Sequence, residues 1–336
     1  LLVGRERAKN YGELLRNPLK PLYNRAMQAY YPPGSTFKLV NALIGQQEGI
    51  ISEHTVYPCY FAVGSHRVKC HGPPTPSDLR GAIQHSCNPY FCQVFRNTIE
   101  SGKWGTSEKA YRQWYADVLS FGVGRKIGVD MPHELSGLVP KAEYYDKYYG
   151  KGHWHGSTIF SLGIGQGELG LNPMQMANIM SIIANKGYYY VPHIVKNIGN
   201  KKYTPAEFLT KHYTVVNEKY FIPVQDGMQR VVEAGTGRVA RSDLYVVCGK
   251  TGTAQNPHGK DHSLFVCFAP RDNPKIAIGI MVENAGYGAT YAGPIASLMI
   301  EKYLEDSIKR PELEKRMLDA VILPQPKGEE DETGGD

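Results

Sequence analysis

Residues 244–282 read LYVVCGKTGTAQNPHGKDHSLFVCFAPRDNPKIAIGIMV, and the fold class turns on them. Three runs in this stretch, Leu244–Cys248, Ser263–Ala269 and Lys275–Val282, are dense in β-branched, aromatic and other apolar residues. Asn256-Pro257-His258-Gly259 and Arg271-Asp272-Asn273-Pro274 stand between them as turns. Connections this short make neighbouring strands antiparallel, because a parallel crossover needs about a dozen residues or more. A closing amphipathic helix is predicted from Pro294 to Leu304. Upstream, helices dominate. Asn172-Pro173 opens one through Ala184, with Met176, Ile179, Met180 and Ile183 as its apolar face. Ser77-Asp78 starts another, interrupted at Pro89 and resumed through Phe95. Pro32-Pro33-Gly34 is a turn, and Ser35 to Ile44 reads as a helix carrying Phe37, Val40 and Ile44 on one face. Residues 1–34 read as extended and irregular, and 116–141 as loops with short helices. Helices in the middle and a late antiparallel sheet give an α+β class.

Composition narrows the function. The chain has 336 residues, 42% apolar and 21% charged, which is ordinary globular usage and excludes disorder, collagen and coiled coil. The net charge of +6 is spread along the chain with no basic arm, so no nucleic acid is expected as partner. At most it favours anionic surroundings such as a cell wall or membrane face. No stretch approaches the ~18 apolar residues of a membrane helix, and no signal peptide is visible. Residue 1 is Leu, which fits removal of an upstream portion. Six cysteines are too few for a disulfide scaffold. The tail from Pro324, with Glu329, Glu330, Asp331 and Glu332, is expected to be disordered.

Three short signals carry chemistry. In Ser35-Thr36-Phe37-Lys38 the serine and lysine share a helix face, so the amine can reach the hydroxyl. A serine hydroxyl needs such a base to become a nucleophile, and a desolvated lysine can serve near neutral pH. Ser35 at a helix start also aims its backbone N–H at a developing oxyanion. In Ser86-Cys87-Asn88 a hydroxyl and an amide can face one cleft, Ser86 to relay a proton and Asn88 to hold a substrate amide. In Lys250-Thr251-Gly252-Thr253 a strand edge can accept an added substrate strand, Gly252 lets it approach, and the lysine and threonines suit a carboxylate. Each alone reads equally well as a helix face, a helix end or a turn. Their joint occurrence, in this order and in these contexts, does not.

The set resembles the transpeptidase domain of class B penicillin-binding proteins, particularly those serving cell elongation. Further segments carry the resemblance: Tyr31 to Lys38, Ser161 to Glu168 (SLGIGQGE), Asn172-Pro173-Met174-Gln175, Ala234-Gly235-Thr236-Gly237 and Gly249 to Gln255 (GKTGTAQ). The resemblance implies a transpeptidase domain over residues 1–323, with a mostly helical subdomain around 45–185 and an antiparallel sheet flanked by helices. It implies D,D-transpeptidation of peptidoglycan stem peptides on the outer face of the cytoplasmic membrane and covalent capture by β-lactams. A membrane glycan polymerase and elongation-complex proteins would be the partners. Family members carry a membrane helix and a pedestal upstream, both missing here. The resemblance further assigns attack to Ser35, the base to Lys38, proton relay to Ser86, and the substrate carboxylate to Lys250, Thr251 and Thr253.

Two rivals use similar motifs: a hydrolytic serine β-lactamase and a β-lactam-sensing receptor domain. Glu168-Leu169-Gly170-Leu171-Asn172 literally fits a Glu-x-x-Leu-Asn pattern in which the Glu activates a deacylating water. Cys59, Cys70, His71 and Cys87 form a possible structural Cys₃His zinc site of irregular spacing. Some relatives carry such a zinc beside the active site. A Cys59–Cys70 disulfide is the alternative, and free buried thiols the third reading. Cys92, Cys248 and Cys267 read as core thiols. His153, Trp154 and His155 read as a surface loop, and Tyr287 and Tyr291 as a rim to the cleft.

Overall fold

The computed structural model describes residues 2–70, 72–203, 205–256 and 259–322. His71 and the acidic tail therefore lie outside the described residues. Twelve helices are described: α1 (Arg7–Arg16), α2 (Arg25–Gln28), α3 (Lys38–Gln47), α4 (Leu79–Gln84), α5 (Asn88–Glu100), α6 (Ser107–Leu119), α7 (Ala142–Tyr149), α8 (Pro173–Ala184), α9 (Ala206–Leu209), α10 (Phe221–Ala234), α11 (Ala292–Glu305) and α12 (Pro311–Leu318).

The main sheet has three antiparallel strands, Cys248–Ala254, His262–Ala269 and Ile276–Val282, in that spatial order. The central strand shows why its sequence is apolar without a break. Leu264, Val266 and Phe268 join the large core beneath α8, whereas Phe265, Cys267 and Ala269 join a second core with Ala292, Ala296 and Ile300 of α11. Period-two alternation puts every side chain into one core or the other.

Several sequence expectations shift, among them the helix predicted from Ser35, which begins at Lys38 after a 3₁₀ turn Gly34–Thr36. The first strand begins at Cys248, not Leu244, so the Lys-Thr-Gly segment is itself strand. Residues 1–34 hold α1 and α2 rather than only extended chain; no α1 residue is buried, and its Ala, Lys, Leu and Arg are good local helix formers. Trp154 is core, 1% exposed and packed edge-on to Tyr111, with its indole N–H donating to Asp146 at 2.8 Å. The meander, α8 with an Asn172–Gln175 capping box, and Asp78 capping α4 stand where the sequence predicts them. Between residues 45 and 185 the larger elements are all helical, with one hairpin of two-residue strands, Ala62–Val63 and His66–Arg67.

α3 is buried all round, not on one face. It lies under α5, α6 and the 3₁₀ turn Phe160–Ile164, and its polar residues are matched: Asn41 donates to the carbonyls of Leu162 and Gly163 and accepts from Trp114. This fixes the serine segment from below. From the other side Tyr31 donates to Glu283 at 2.6 Å and Arg25 donates to the same carboxylate at 3.0 Å, pinning residue 31 to the end of the third strand.

Candidate active site

Ser35 sits in the 3₁₀ turn Gly34–Thr36 that runs into α3, half-buried at the floor of a cleft of about 670 Å³. Two glycines make the turn possible. Gly34 has φ +54°, and a Cβ on it would lie 2.5 Å from the Thr253 carbonyl oxygen. Gly165 has φ +71° and would clash with the Gly34 carbonyl at 2.1 Å, while its own carbonyl accepts from Gly34 N–H. The serine turn is thus pressed between the SLGIGQGE loop and the first strand.

Lys38 is fully buried one turn further on. Its Nζ reaches the Ser86 carbonyl at 2.7 Å, Ser86 Oγ at 3.2 Å and Asn88 Oδ1 at 2.6 Å. Burial pulls its pKa down to about 8. A neutral amine can donate two N–H groups, to the carbonyl and the amide oxygen, and keep its lone pair for a hydroxyl.

Ser86 lies between α4 and α5 at φ +55°, a left-handed conformation that is uncommon for serine. The Lys38 bond to its carbonyl holds it there. Asn88 opens α5, its side-chain amide donating to the Lys69 carbonyl at 2.9 Å. α4 is clamped from behind. Arg80 bonds Glu53 at 2.6 Å and Asp226 of α10 at 2.9 Å, and Asp226 also pairs with Arg271 beyond the central strand.

The first strand closes the cleft. Its other edge carries the central strand, and the edge beside Ser35 has no strand partner among the described residues. Lys250 is fully buried, its Nζ donating to the Thr251 carbonyl at 3.0 Å. Burial, and secondarily the charge of Lys38, drive its pKa well below the lysine range. Gly252, Thr251 and Thr253 line the cleft. The structure therefore brings Ser35, Lys38, Ser86, Asn88, Lys250, Thr251, Gly252 and Thr253 together.

Residues without an assigned role in the sequence reading join them. Thr236 Oγ1 lies 2.6 Å from Thr251 Oγ1, and Gln166 donates to the Thr253 carbonyl at 3.1 Å. Both lie in quoted family segments, which is the signal that could have marked them. Tyr287 lines the cleft as expected; Tyr291, at the start of α11, is not among its lining residues. Glu168 is likewise not a lining residue: its Oε2 accepts from the Tyr145 hydroxyl at 2.9 Å. Glu168→Ala should leave the lifetime of a penicillin acyl-enzyme nearly unchanged, measured by release of labelled drug. A large slowing would mark Glu168 as the base of a hydrolase.

The Sγ atoms of Cys59, Cys70 and Cys87 all lie within 4.8 Å of one another, with Cys59 and Cys87 at 3.6 Å. Cys59, Cys70 and Cys87 are all free thiols, so neither this pair nor Cys59–Cys70 is a disulfide, and the 3.6 Å separation exceeds the ~2.05 Å of one. It is close to the roughly 3.8 Å expected of sulfurs sharing one tetrahedral ion at about 2.3 Å. The hydrogen bond from Cys87 holds the Cys70 thiol well below the usual thiol range, and donating it pushes Cys87 up. A soft trio with one ready thiolate fits zinc. Cys92 is buried in α5, and Cys248 and Cys267 are buried on adjacent strands.

A serine one turn before a buried lysine, faced by a second serine and by a free strand edge, defines a serine–lysine acyl-transfer site. The penicillin-binding protein transpeptidase domain matches residues 2–301, and the chain belongs to that family. It is similar to the peptidoglycan D,D-transpeptidase MrdA of Acinetobacter baumannii, 34% identical over 90% of this chain and 47% of that one. The chain thus spans about half the length of that relative. Among solved structures, Pseudomonas aeruginosa PBP2 in complex with WCK 5153 is similar at TM-score 0.76 and 32% identity, covering 88% of this chain and 66% of that one. A peptidoglycan synthase complex that coordinates polymerization and crosslinking contains a chain at TM-score 0.75 and 26% identity, covering 90% of this chain and 51% of that one.

Proposed function

We propose that this chain is the catalytic part of a peptidoglycan D,D-transpeptidase that cross-links stem peptides during cell elongation. The observation that carries the reading is the convergence on Lys38 of Ser86 and Asn88, one turn from Ser35 and beside an unpaired strand edge. Neutral Lys38 takes the Ser35 proton as Oγ attacks the carbonyl of the penultimate D-Ala. The backbone N–H groups of Ser35 and Thr253 carry the oxyanion. Ser86 passes the proton from Lys38 to the departing D-Ala amine, whose carboxylate Lys250, Thr251 and Thr253 hold. An amine of a neighbouring stem peptide then attacks the ester, its proton returns through Lys38, and Ser35 is released.

β-Lactams would acylate the same serine. The site of action would be the outer face of the cytoplasmic membrane, beside a membrane glycan polymerase and other elongation proteins. Among the described residues no helix is long and apolar enough to cross a membrane. The test offers the enzyme a peptide ending in D-Ala-D-Ala together with a second stem peptide. Transpeptidation yields the dimer and free D-Ala. Rapid hydrolysis of a penicillin with no peptide product favours a β-lactamase, and a stable penicillin adduct with no peptide product favours a sensor.

We also propose zinc at Cys59, Cys70 and Cys87, with His71 as the fourth ligand. Zinc held by four protein ligands supplies structure and no open position for chemistry. Its effect would come through Cys87, which stands between Ser86 and Asn88. Cys59→Ser should lower zinc content, melting temperature and penicillin acylation together, although Cys59 is not among the residues that line the cleft. The check is elemental analysis of protein purified without added metal. Well under one zinc per chain, with a Cys59–Cys70 crosslink in the peptide map, favours the disulfide.

A further inference from the structure

We propose that Asp261 selects the donor stem peptide, by binding an ammonium group on the side chain that precedes the two D-alanines. The inference rests on the transpeptidase reading and deepens it.

Asp261 contributes the only carboxylate among the described residues that line the cleft. Ala254 pairs with His262, so Asp261 lies just beyond the first strand's end, next to Gln255, which also lines the cleft. It is held in place. Its Oδ1 accepts from the Asn256 N–H at 3.2 Å, and its carbonyl accepts from the Gly286 N–H at 2.7 Å. No salt bridge occupies it among the described residues, and the neighbouring His262 is held toward its neutral form, chiefly by burial. The two lysines of the site, Lys38 and Lys250, are fully buried and do not pair with it.

Direction follows from strand pairing. A substrate added antiparallel to Cys248–Ala254 puts its C-terminal carboxylate at Lys250 and Thr251 and runs back toward Ala254. The reacting carbonyl falls at Ser35, beside Thr253. At ~3.3 Å per residue the residue before the one beside Thr253 comes level with Ala254, whose register partner His262 adjoins Asp261, and a side chain of four or five carbons extends toward that carboxylate. A primary ammonium is the group this carboxylate can bind there, by a charge-assisted hydrogen bond. A diamino acid presents one. A neutral side chain leaves Asp261 facing water.

The experiment compares two donor peptides, X-D-Ala-D-Ala with X lysine or Nε-acetyl-lysine, using one acceptor amine and reading kcat/KM for transfer. Wild-type protein should prefer the cationic peptide by ~10-fold, and the preference should shrink at high salt. Asp261→Asn keeps an acceptor for Asn256 and should bring the ratio close to one by slowing the lysine peptide. Equal wild-type rates, or a preference that survives Asp261→Asn, would overturn the inference. Asp261→Lys gives a second reading: a glutamate at X should then become the better donor. Absence of transfer product from either peptide in the wild type points instead to failure of the transpeptidase reading, and the inference falls with it.

Discussion

Replacing Lys38 by alanine is expected to slow acylation of Ser35 by ~10²–10⁴-fold, the range a positioned base contributes. Lys38 is enclosed completely and spends its polar atoms on Ser86 and Asn88, so no solvent amine can stand in for it. The pH dependence identifies the role. Burial lowers the Lys38 pKa to about 8, and only the unprotonated amine accepts the serine proton. Wild-type acylation should therefore rise with pH through about 8 and level above it, and the Lys38→Ala residual rate should lose that rise. A stopped-flow series with a labelled penicillin measures both. A merely structural lysine would lower the melting temperature and leave the shape of the profile unchanged.

Gly34→Ala should have the next largest effect. The position needs φ +54°, and the new methyl would stand 2.5 Å from a backbone oxygen of Thr253 and 3.2 Å from its carbonyl carbon. Neither is a flexible side chain, so the serine turn or the strand must move. A shift of about 1 Å in a reacting group costs on the order of 10²-fold in rate. The expected result is acylation slowed by ~10²-fold together with a lower melting temperature. Gly4→Ala also puts a side chain at positive φ, yet nothing lies within 4 Å of its Cβ. It serves as the comparison: backbone strain without the clash should leave acylation near wild type.

Much of the site could be read from spacing alone, because its groups lie within short segments. Ser35 and Lys38 are one turn apart, Ser86 and Asn88 two residues apart, and Lys250 to Thr253 form one strand. What spacing could not give is the set of meetings between segments. Asp261 reaches the cleft only because the Ala254–His262 register folds it back beside Gln255. Thr236 meets Thr251 only once α10 lies along the first strand. The cysteines form no recognised finger motif at their irregular 59–70–87 spacing, yet residue type alone marks them as a possible set, and the loop after α3 and the turn before α5 bring their three sulfurs together.

Where the sequence reading missed the fold, competing effects explain it. Pro18, Pro21, Pro32 and Pro33 suggested an irregular start, yet the proline-free run Arg7–Arg16 has enough helix formers to coil without burying a side chain. Leu244–Val247 looks like strand by composition, but pairing with the central strand begins at Cys248. Trp154 sits between two histidines and reads as surface, whereas an aromatic cage of Tyr111 and Tyr145 takes it into the core.

The most direct measurement is the identity of the acylated residue. Protein incubated with a labelled penicillin is digested, and the adduct is located by tandem mass spectrometry. One adduct per chain on the peptide containing Ser35, absent from Ser35→Ala, is the result this mechanism predicts. An adduct on any other residue, or none on folded protein at saturating drug, would contradict it.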